Sequence, residues 1–243
     1  MRTIKLHIAY HGARYVGWQI QAEGLSVQGE LERVLERLTG HPVRLIAAGR
    51  TDAGVHARCM AAHFQTPLDL PLTAFREGVN RLLPEDIAVQ DAFEMPSGFH
   101  ARFDARGKHY RYTLWCAPVR SPLEAPFSWW LRPPLDLEAM RHAARQLTGI
   151  HDFAQFRIAG CAARTTVREI FSMTLTENGE RIIIDMRGSG FLRGMVRLMV
   201  GALVDIGRGR ATCEELDRRL HGETPQRRLC APPQGLCLME VYY

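Results

Sequence analysis

The sequence has little lysine, no paired-cysteine motif and no long apolar run. Only Lys5 and Lys108 are lysines, so 29 of the 31 cationic side chains are arginine. The planar guanidinium of arginine binds phosphate through two hydrogen bonds, so this composition permits a nucleic-acid partner. A GC-rich genome, which favours arginine over lysine everywhere, explains the same bias equally well. The formal net charge of +5 favours a polyanionic partner but also suits many basic enzymes.

The six cysteines form neither a C-x-x-C pair nor a Cys/His cluster at zinc spacing, which predicts reduced thiols and no metal site. The first residues alternate between polar and apolar instead of forming the apolar run of a signal peptide. The most apolar stretch, residues 191–206, is interrupted by Arg193, Arg197 and Asp205 and is too short to cross a bilayer. We therefore expect a soluble, cytoplasmic protein without a membrane association.

The first half of the 243-residue chain predicts mixed strands and helices. Apolar residues at every second position from Ile4 to Tyr10 indicate a strand with one buried face. Ser26 can cap a helix that ends at Gly40. Further elements predicted in this half are a strand over residues 43–47, a strand over 59–65, a helix over 73–83 and a strand over 87–93.

The second half begins the pattern again. A strand over residues 110–115 precedes a helix that starts at Asp136 and ends at Leu-Thr-Gly (147–149), and the first helix ends at the same three residue types (38–40). This similarity predicts an α+β fold of two similar α/β halves, residues 1–105 and 106–243, related by a pseudo-two-fold with the active-site cleft between them. Asn178-Gly179 predicts a hairpin between strands over 167–176 and 182–186, so the sheets should be mixed and largely antiparallel.

The nine residues from 49 to 57, Gly-Arg-Thr-Asp-Ala-Gly-Val-His-Ala, place one carboxylate, that of Asp52, between an arginine and a glycine. The stretch has too few apolar residues to be core. An aspartate in such a loop is usually a turn residue or a helix cap. Asp52 therefore becomes a catalytic candidate only when other segments of the chain support it.

The apolar helix predicted from Phe191 carries Arg193 and Arg197, four residues apart and so on one face. A guanidinium on a buried helix needs a carboxylate or a phosphate beside it. Either arginine can instead extend along the helix to reach solvent. If the partner is Asp52, the pair holds that carboxylate ionised and oriented, as a nucleophile requires.

Basic and aromatic residues interleave over residues 99–112, a composition suited to binding a phosphate backbone and stacking an unpaired base. The alternative is a strand with one solvated basic face and one aromatic core face. Composition favours that alternative, and it also accounts for the aromatic residues from Tyr10 to Trp18.

Together these segments resemble one family, the tRNA pseudouridine synthases of the TruA type, which isomerise uridines at positions 38–40 of the anticodon stem-loop. Residues 49–57 look like the signature of that family. The other matches, in chain order, are Tyr10-x-Gly12, Tyr15-x-Gly17-Trp18-Gln19-x-Gln21, Phe99-His100-Ala101-Arg102-Phe103, Lys108-x-Tyr110-x-Tyr112, His151-Asp152-Phe153, Met195-Val196-Arg197 and Ala231-Pro232-x-x-Gly235-Leu236.

The resemblance implies a role for four residues. Asp52 attacks the target nucleotide, Arg197 pairs with Asp52, Tyr110 stacks on the uracil, and Arg50 helps to displace or replace the flipped base. The sequence departs from the family pattern at His11, where aspartate is usual, and at Arg193-Gly194, which replaces a pair containing an aromatic residue. Neither departure touches Asp52, but the second leaves the packing of its helix open.

The resemblance further implies tRNA as the partner and a homodimer. It also implies no cofactor, since the reaction only moves the bond between the uracil and the ribose from N1 to C5 of the base. Two other functions remain open. A nucleoside glycosylase that uses Asp52 to stabilise an oxocarbenium-like state would release free uracil. A tRNA-binding or tRNA-folding protein would use a basic surface alone and would tolerate the loss of Asp52.

Overall fold

The computed structural model describes residues 1–161 and 163–243. Within these ranges the strands are β1 (Arg2–Tyr10), β2 (Ile46–Ala47), β3 (His56–Thr66), β4 (Ile87–Met95), β5 (Gly107–Cys116), β6 (Trp129–Leu131), β7 (Gly149–Asp152), β8 (Val167–Asn178), β9 (Arg181–Gly188) and β10 (Leu236–Tyr242). The α-helices are α1 (Val27–Thr39), α2 (Leu137–Gln146), α3 (Met195–Gly207) and α4 (Cys213–Leu220). The predicted α+β class with largely antiparallel strands is confirmed.

The chain divides into two compact units, Met1–Arg106 with Cys237–Tyr243, and Gly107–Leu236. In the first unit β1 lies between β3 and β4 and is antiparallel to both. The short strand β2 pairs with β3 in antiparallel orientation, and β10 pairs with β3 in parallel. The last strand of the chain therefore belongs to the unit that carries Asp52.

The local sequence explains the first unit's main elements. The predicted alternation of β1 is confirmed, because Ile4, Leu6, Ile8 and Tyr10 are all buried. Helix α1 begins where predicted: the Ser26 hydroxyl accepts a hydrogen bond from the backbone N–H of Gly29 at 3.1 Å. It ends at Gly40, whose φ of +73° is the left-handed conformation that terminates many helices.

In the second unit β5 pairs with β9 and β6, and β8 pairs with β9 and β7. The predicted hairpin between β8 and β9 is confirmed, but its two loop residues are Gly179 and Glu180, because Asn178 still pairs with Arg181. Gly179 has a φ of +60° and Glu180 does not have a positive φ. Glycine at the first of two loop positions is the pattern of a type II′ turn.

Some predicted bounds were wrong. The strand expected over residues 43–47 is reduced to β2, and the helix expected over 73–83 occupies residues 72–80 with a π-helical stretch, Ala74–Gly78. Beyond residue 80 the chain continues as turns, in which the N–H groups of Arg81 and Leu83 donate to the carbonyls of Glu77 and Val79, each at 3.1 Å. In the described ranges, no helix combines the length and apolarity needed to cross a membrane.

Candidate active site

Asp52 lies in the loop between β2 and β3 of the first unit. The residue is half-buried, and its backbone forms an isolated antiparallel bridge with Gly17. The backbone N–H of Val55 donates to the Asp52 carbonyl at 3.2 Å, and Gly54 between them has a φ of +76°. The carboxylate therefore lies at a tight turn, whose geometry requires a glycine.

The aromatic and glycine residues that follow β1 hold this loop by backbone hydrogen bonds. The N–H of Trp18 donates to the carbonyl of Thr51 at 3.2 Å, one residue before Asp52. The N–H of Gly54 donates to the carbonyl of Tyr15 at 3.4 Å, two residues after it. Since the backbone is bonded on both sides of Asp52, the loop has a defined position before any substrate arrives, which catalysis by a positioned group requires.

Side chains reinforce the same contact. The Tyr10 hydroxyl lies 2.8 Å from Thr51 Oγ1, and both residues are buried. Tyr15 and Trp18 are also buried, so the interpretation of this aromatic segment as core is confirmed. The rings of Tyr15 and Trp18 therefore pack in the core of the first unit.

Two histidines and one glycine complete the support. The N–H of Gly12 donates to His56 Nδ1 at 3.0 Å, so a neutral His56 ring carries its proton on Nε2. A Cβ on Gly12 would lie 2.0 Å from the Val55 carbonyl oxygen, which explains why the position has no side chain. The ring of His11, one of the departures from the family pattern, stacks on the His56 ring at 4.6 Å. His11 therefore contributes to packing behind the loop.

Arg50 is exposed at the start of the loop, two residues before Asp52. Within the part of the chain that the structure describes, its side chain makes no hydrogen bond or ion pair. Its guanidinium is thus available to an external phosphate or base, since no group in residues 1–161 and 163–243 competes for its five N–H donors. Arg50 and Asp52 are brought together by the loop itself.

Tyr110 lies on β5 in the second unit, opposite Met186 of β9. The residue is buried, and the Phe191 ring packs edge-on against its ring with the centroids 5.1 Å apart and the planes at 81°. An edge-to-face contact of this kind restricts the ring's orientation. The position is a strand residue with a fixed ring, which suits a stacking platform.

Arg197 lies in the first turn of α3, also in the second unit. Its Nε donates to the Ala231 carbonyl at 2.7 Å, and the N–H of Ala231 donates back to the Arg197 carbonyl at 3.0 Å. Gly201, one turn later, allows this close approach: a Cβ there would lie 1.9 Å from the Leu229 carbonyl oxygen. The segment after residue 228 therefore orients the guanidinium of Arg197.

The prediction that Arg193 and Arg197 share one helix face was wrong. Helix α3 begins at Met195, because Gly194 has a φ of +70° and breaks the helical geometry before it. Arg193 precedes that break, is exposed, and donates from Nη1 to the Ala159 carbonyl at 3.4 Å. The prediction that the helix is buried is confirmed, since every residue of α3 except Arg197 and Ala202 is buried.

The basic and aromatic stretch over residues 99–112 divides at Gly107. Its first part is a turn in which the Phe103 ring, 76% exposed, stacks on the His100 ring at 4.2 Å. Its second part is β5, where His109 and Tyr110 are buried. The strand and its aromatic core face, with Tyr110 and Tyr112 buried, are confirmed for the second part, but the predicted solvated basic face is wrong at His109, which is 7% exposed and bonds to Asp185. The first part is a turn with an exposed aromatic ring.

The structure thus places Asp52 and Arg50 in one loop of the first unit, and Tyr110 and Arg197 on β5 and α3 of the second. The sequence motifs contain Thr51 and Ala231, but no supporting role for these two residues was predicted. The spacing Tyr10-x-Gly12 is a sequence signal for that support, because glycines amid buried aromatic residues indicate a close approach of another backbone.

A carboxylate in a loop of defined position can serve as a nucleophile or a base, and the neighbouring Arg50 makes no hydrogen bond or ion pair from its side chain among the described residues. The family model described as "tRNA pseudouridine synthase" matches residues 7–104 and 143–243. The chain therefore belongs to the tRNA pseudouridine synthase family, an isomerase family.

Individual relatives agree with the family match. The chain is 57% identical to the tRNA pseudouridine synthase A of Syntrophotalea carbinolica, over 100% of this chain and 97% of the relative. It is 54% identical to that of Geobacter sulfurreducens, over the whole of both chains. Among solved structures, one chain of a Cbf5-Nop10-Gar1 complex is 10% identical with a TM-score of 0.36, over 96% of this chain and 57% of that chain.

Proposed function

We propose that the protein converts uridine to pseudouridine at positions 38–40 of the tRNA anticodon stem-loop, with Asp52 as the nucleophile. The observation that carries this proposal is that hydrogen bonds hold the loop of Asp52 on both sides of that residue. Thr51 bonds to Tyr10 and Trp18, and Gly54 bonds to Tyr15. Membership of the tRNA pseudouridine synthase family supports the reaction class.

The reaction breaks the N1–C1′ bond and forms a C5–C1′ bond on the same uracil. The proton on C5 is lost to solvent and N1 gains one, so the product is an isomer and no cofactor is consumed. The target base must first leave its stack, at a cost of a few kcal/mol. The side chain of Arg50 is exposed and has no partner among the described residues, so it can occupy or stabilise the gap that the extruded base leaves in the RNA stack. The ring of Tyr110, which packs edge-on against Phe191, is suited to stack on the extruded uracil.

Arg197 is proposed to pair with Asp52 and to orient it for attack. The support for this role is that two hydrogen bonds to Ala231 fix the backbone and the Nε of Arg197. One charged group held in a single orientation loses little further entropy when it pairs. This proposal also includes three further predictions. The chain forms two halves, residues 1–105 and 106–243, with the active-site cleft between them, and the protein is a homodimer located in the cytoplasm.

The test is tritium release from C5-labelled uridine in unmodified tRNA, together with an assay for free uracil. We expect wild type to release tritium without free uracil, and Asp52→Asn, which keeps the shape of the side chain, to bind tRNA but release none. Asp69→Asn, at an exposed aspartate of the same unit, is the matched control and should match wild type.

Other results would identify the alternatives. Free uracil from wild type would indicate a glycosylase. A well-folded wild type that binds tRNA and releases neither tritium nor uracil would indicate a binding or folding protein. Turnover by Asp52→Asn at the wild-type rate would contradict the role of Asp52 in any of these reactions.

A further inference from the structure

The ring of Phe103 is 76% exposed, and no aromatic side chain that the structure describes is more exposed. It lies in a tight turn of the first unit, residues 100–104, which we call the Phe103 turn. Exposure alone does not mark a site, because single apolar side chains are common on protein surfaces. The contacts by which the turn holds this ring distinguish it from such side chains.

Hydrogen bonds within the turn converge on His100. The N–H groups of Phe103 and Asp104 donate to the His100 carbonyl at 3.1 and 3.0 Å. The N–H groups of Arg102 and Phe103 also donate to His100 Nδ1, each at 3.2 Å, and so hold the imidazole ring in place. The Phe103 ring stacks on this imidazole, with 4.2 Å between the centroids and 26° between the planes. The orientation of the exposed ring is therefore set before any ligand binds.

The Phe103 turn is attached to the core of the first unit. Ala101 has no exposed surface, and its N–H donates to Nδ1 of His63 on β3 at 3.1 Å. His63 is itself buried, and its ring contacts the His100 ring edge-on with the centroids 5.1 Å apart. A buried strand residue thus fixes the position of the turn. A platform that is fixed in this way loses little conformational entropy when a ligand stacks on it.

The charged side chains around the ring are mostly positive. Arg102 and Arg106 are exposed, and their side chains make no hydrogen bond or ion pair within residues 1–161 and 163–243. The Arg102 guanidinium lies 5.9 Å from the centroid of the Phe103 ring. The one carboxylate in residues 99–106, that of Asp104, accepts from the His100 N–H at 2.9 Å. A net positive charge beside an exposed ring favours a polyanion that carries flat bases.

We infer that the Phe103 turn binds an unpaired nucleotide of the RNA substrate, whose base stacks on the Phe103 ring while its phosphates bind Arg102 and Arg106. The inference rests on the proposed function, which supplies the RNA. A paired base inside a helix is covered by its neighbours, so an unpaired base is the one that can offer a face to the ring. A stable protein partner would cover about 800 Å² of the surface. Phe103 is the only exposed apolar side chain among residues 99–106, which is too little apolar surface for such a contact.

The first experiment measures the affinity of the full chain for two end-labelled RNAs by fluorescence anisotropy. One RNA has the sequence of a tRNA anticodon stem-loop, and the other is a blunt duplex with the same number of phosphates and no unpaired base. We expect Phe103→Leu to weaken binding of the stem-loop about tenfold, the order expected for the loss of one base–aromatic stack, and to leave binding of the duplex unchanged. Phe103→Trp, which keeps a flat ring, should bind the stem-loop as wild type does.

The matched control is Phe171→Leu, the same substitution at a 47% exposed phenylalanine of β8, and it should bind both RNAs like wild type. Arg102→Gln and Arg106→Gln each remove one phosphate contact. Each should therefore lower the slope of log affinity against log salt concentration by about one. All of these substitutions alter exposed side chains, so the Tm should stay at the wild-type value.

The inference is overturned if Phe103→Leu binds the stem-loop like wild type, or if it weakens binding of both RNAs equally. It is also overturned if Phe103→Trp binds as weakly as Phe103→Leu, or if wild type does not bind the stem-loop. Sedimentation of the RNA-free protein tests a different occupant. A changed oligomeric state in Phe103→Leu would show that the turn contacts a second copy of the chain, and would contradict its role in RNA binding.

Steady-state tritium release separates this inference from the proposed function. We expect Phe103→Leu to raise the KM for tRNA severalfold and to leave kcat unchanged, because a contact made equally in the ground state and the transition state affects binding alone. An unchanged KM in an active enzyme refutes the inference alone. A wild type that releases no tritium but binds the stem-loop through Phe103 refutes the proposed reaction alone, because the anisotropy measurement needs no turnover.

Discussion

The hydroxyl of Tyr10 lies 2.8 Å from Thr51 Oγ1, and the next residue in the chain is Asp52. Tyr10 is the last residue of β1 and is 5% exposed, whereas Asp52 is half-buried at the turn. A hydrogen bond between side chains 41 residues apart thus connects a core strand to the proposed nucleophile. The position of the carboxylate depends on the packing behind it.

Tyr10→Phe removes this hydrogen bond and leaves the buried Thr51 hydroxyl without its Tyr10 partner. We expect a loss of about 1–3 kcal/mol in the free energy of unfolding, and a lower kcat because the loop gains freedom. Chemical denaturation and tritium release measure the two effects. Tyr243→Phe, which removes a hydroxyl that donates to the Ala101 carbonyl at 2.8 Å, should lose stability but keep kcat. Equal kcat losses in both variants would contradict a specific role for Tyr10.

Gly12→Ala places a methyl group 2.0 Å from the Val55 carbonyl oxygen, a separation that backbone atoms must shift to relieve. We expect a Tm several degrees below wild type and little turnover, because Val55 belongs to the turn that carries Asp52. Gly98→Ala is the control, since nothing lies within 4 Å of its added methyl. The Gly98→Ala variant should fold and catalyse the reaction like wild type. A fully active Gly12→Ala variant would contradict the prediction, because it would show that the Asp52 loop can shift without loss of activity.

Arg50→Ala removes an exposed guanidinium that has no partner in the described chain. Its free energy of unfolding should stay within about 0.5 kcal/mol of wild type, as for other surface substitutions. The kcat/KM for tRNA should fall markedly, since the extruded base is no longer replaced. Arg33→Ala, at another exposed arginine of the first unit, serves as the control and should keep wild-type kinetics. A normal kcat/KM for Arg50→Ala would remove Arg50 from the site.

Two variants of Arg197 separate its charge from its hydrogen bond. Arg197→Lys and Arg197→Met both lose the 2.7 Å bond from Nε to the Ala231 carbonyl, but only lysine keeps a positive charge. If Arg197 pairs with Asp52, lysine should restore part of the kcat that methionine loses, at similar Tm. Single-turnover rates with saturating tRNA give this comparison. Identical rates for the two variants would leave Arg197 a purely structural role.

The ion pair of Asp185 should give the protein an acid-sensitive component of stability. Burial by itself would raise the pKa of Asp185, but hydrogen bonds from Arg111 and His109 outweigh it and lower that pKa. The carboxylate therefore stabilises the fold above its unfolded-state pKa of about 3.9, and this stabilisation is lost as pH falls through the lower folded-state pKa.

Asp185→Asn tests this pH dependence by urea unfolding. The variant should be less stable than wild type at pH 5, and the difference should narrow below about pH 4. His109 Nε2 and Arg111 Nε both lie within 3 Å of Asp185 Oδ1. The neutral asparagine side chain of the variant loses the electrostatic attraction between the carboxylate and the Arg111 guanidinium. A difference that stays constant down to pH 3 would contradict this assignment.

Local elements could be predicted because their signals lie within a few residues of one another. The alternation of β1, the Ser26 cap and Gly40 end of α1, and the β8–β9 hairpin were each correct in type. The start of α3 was missed, because the sequence after Phe191 is apolar enough to continue a helix and only the left-handed Gly194 shows that it does not.

The amino-acid sequence was sufficient to predict the fold class, most of the local elements and, through the residues from 49 to 57, the candidate nucleophile. The support of Asp52 became visible only in the folded chain, because the contacts from Tyr10, Tyr15 and Trp18 join segments more than 30 residues apart. The same holds for Ala231 beside Arg197 and for His63 beside Ala101 of the Phe103 turn. Hydrogen bonds between distant segments have no periodicity along the chain, so only the folded backbone reveals which residues they join.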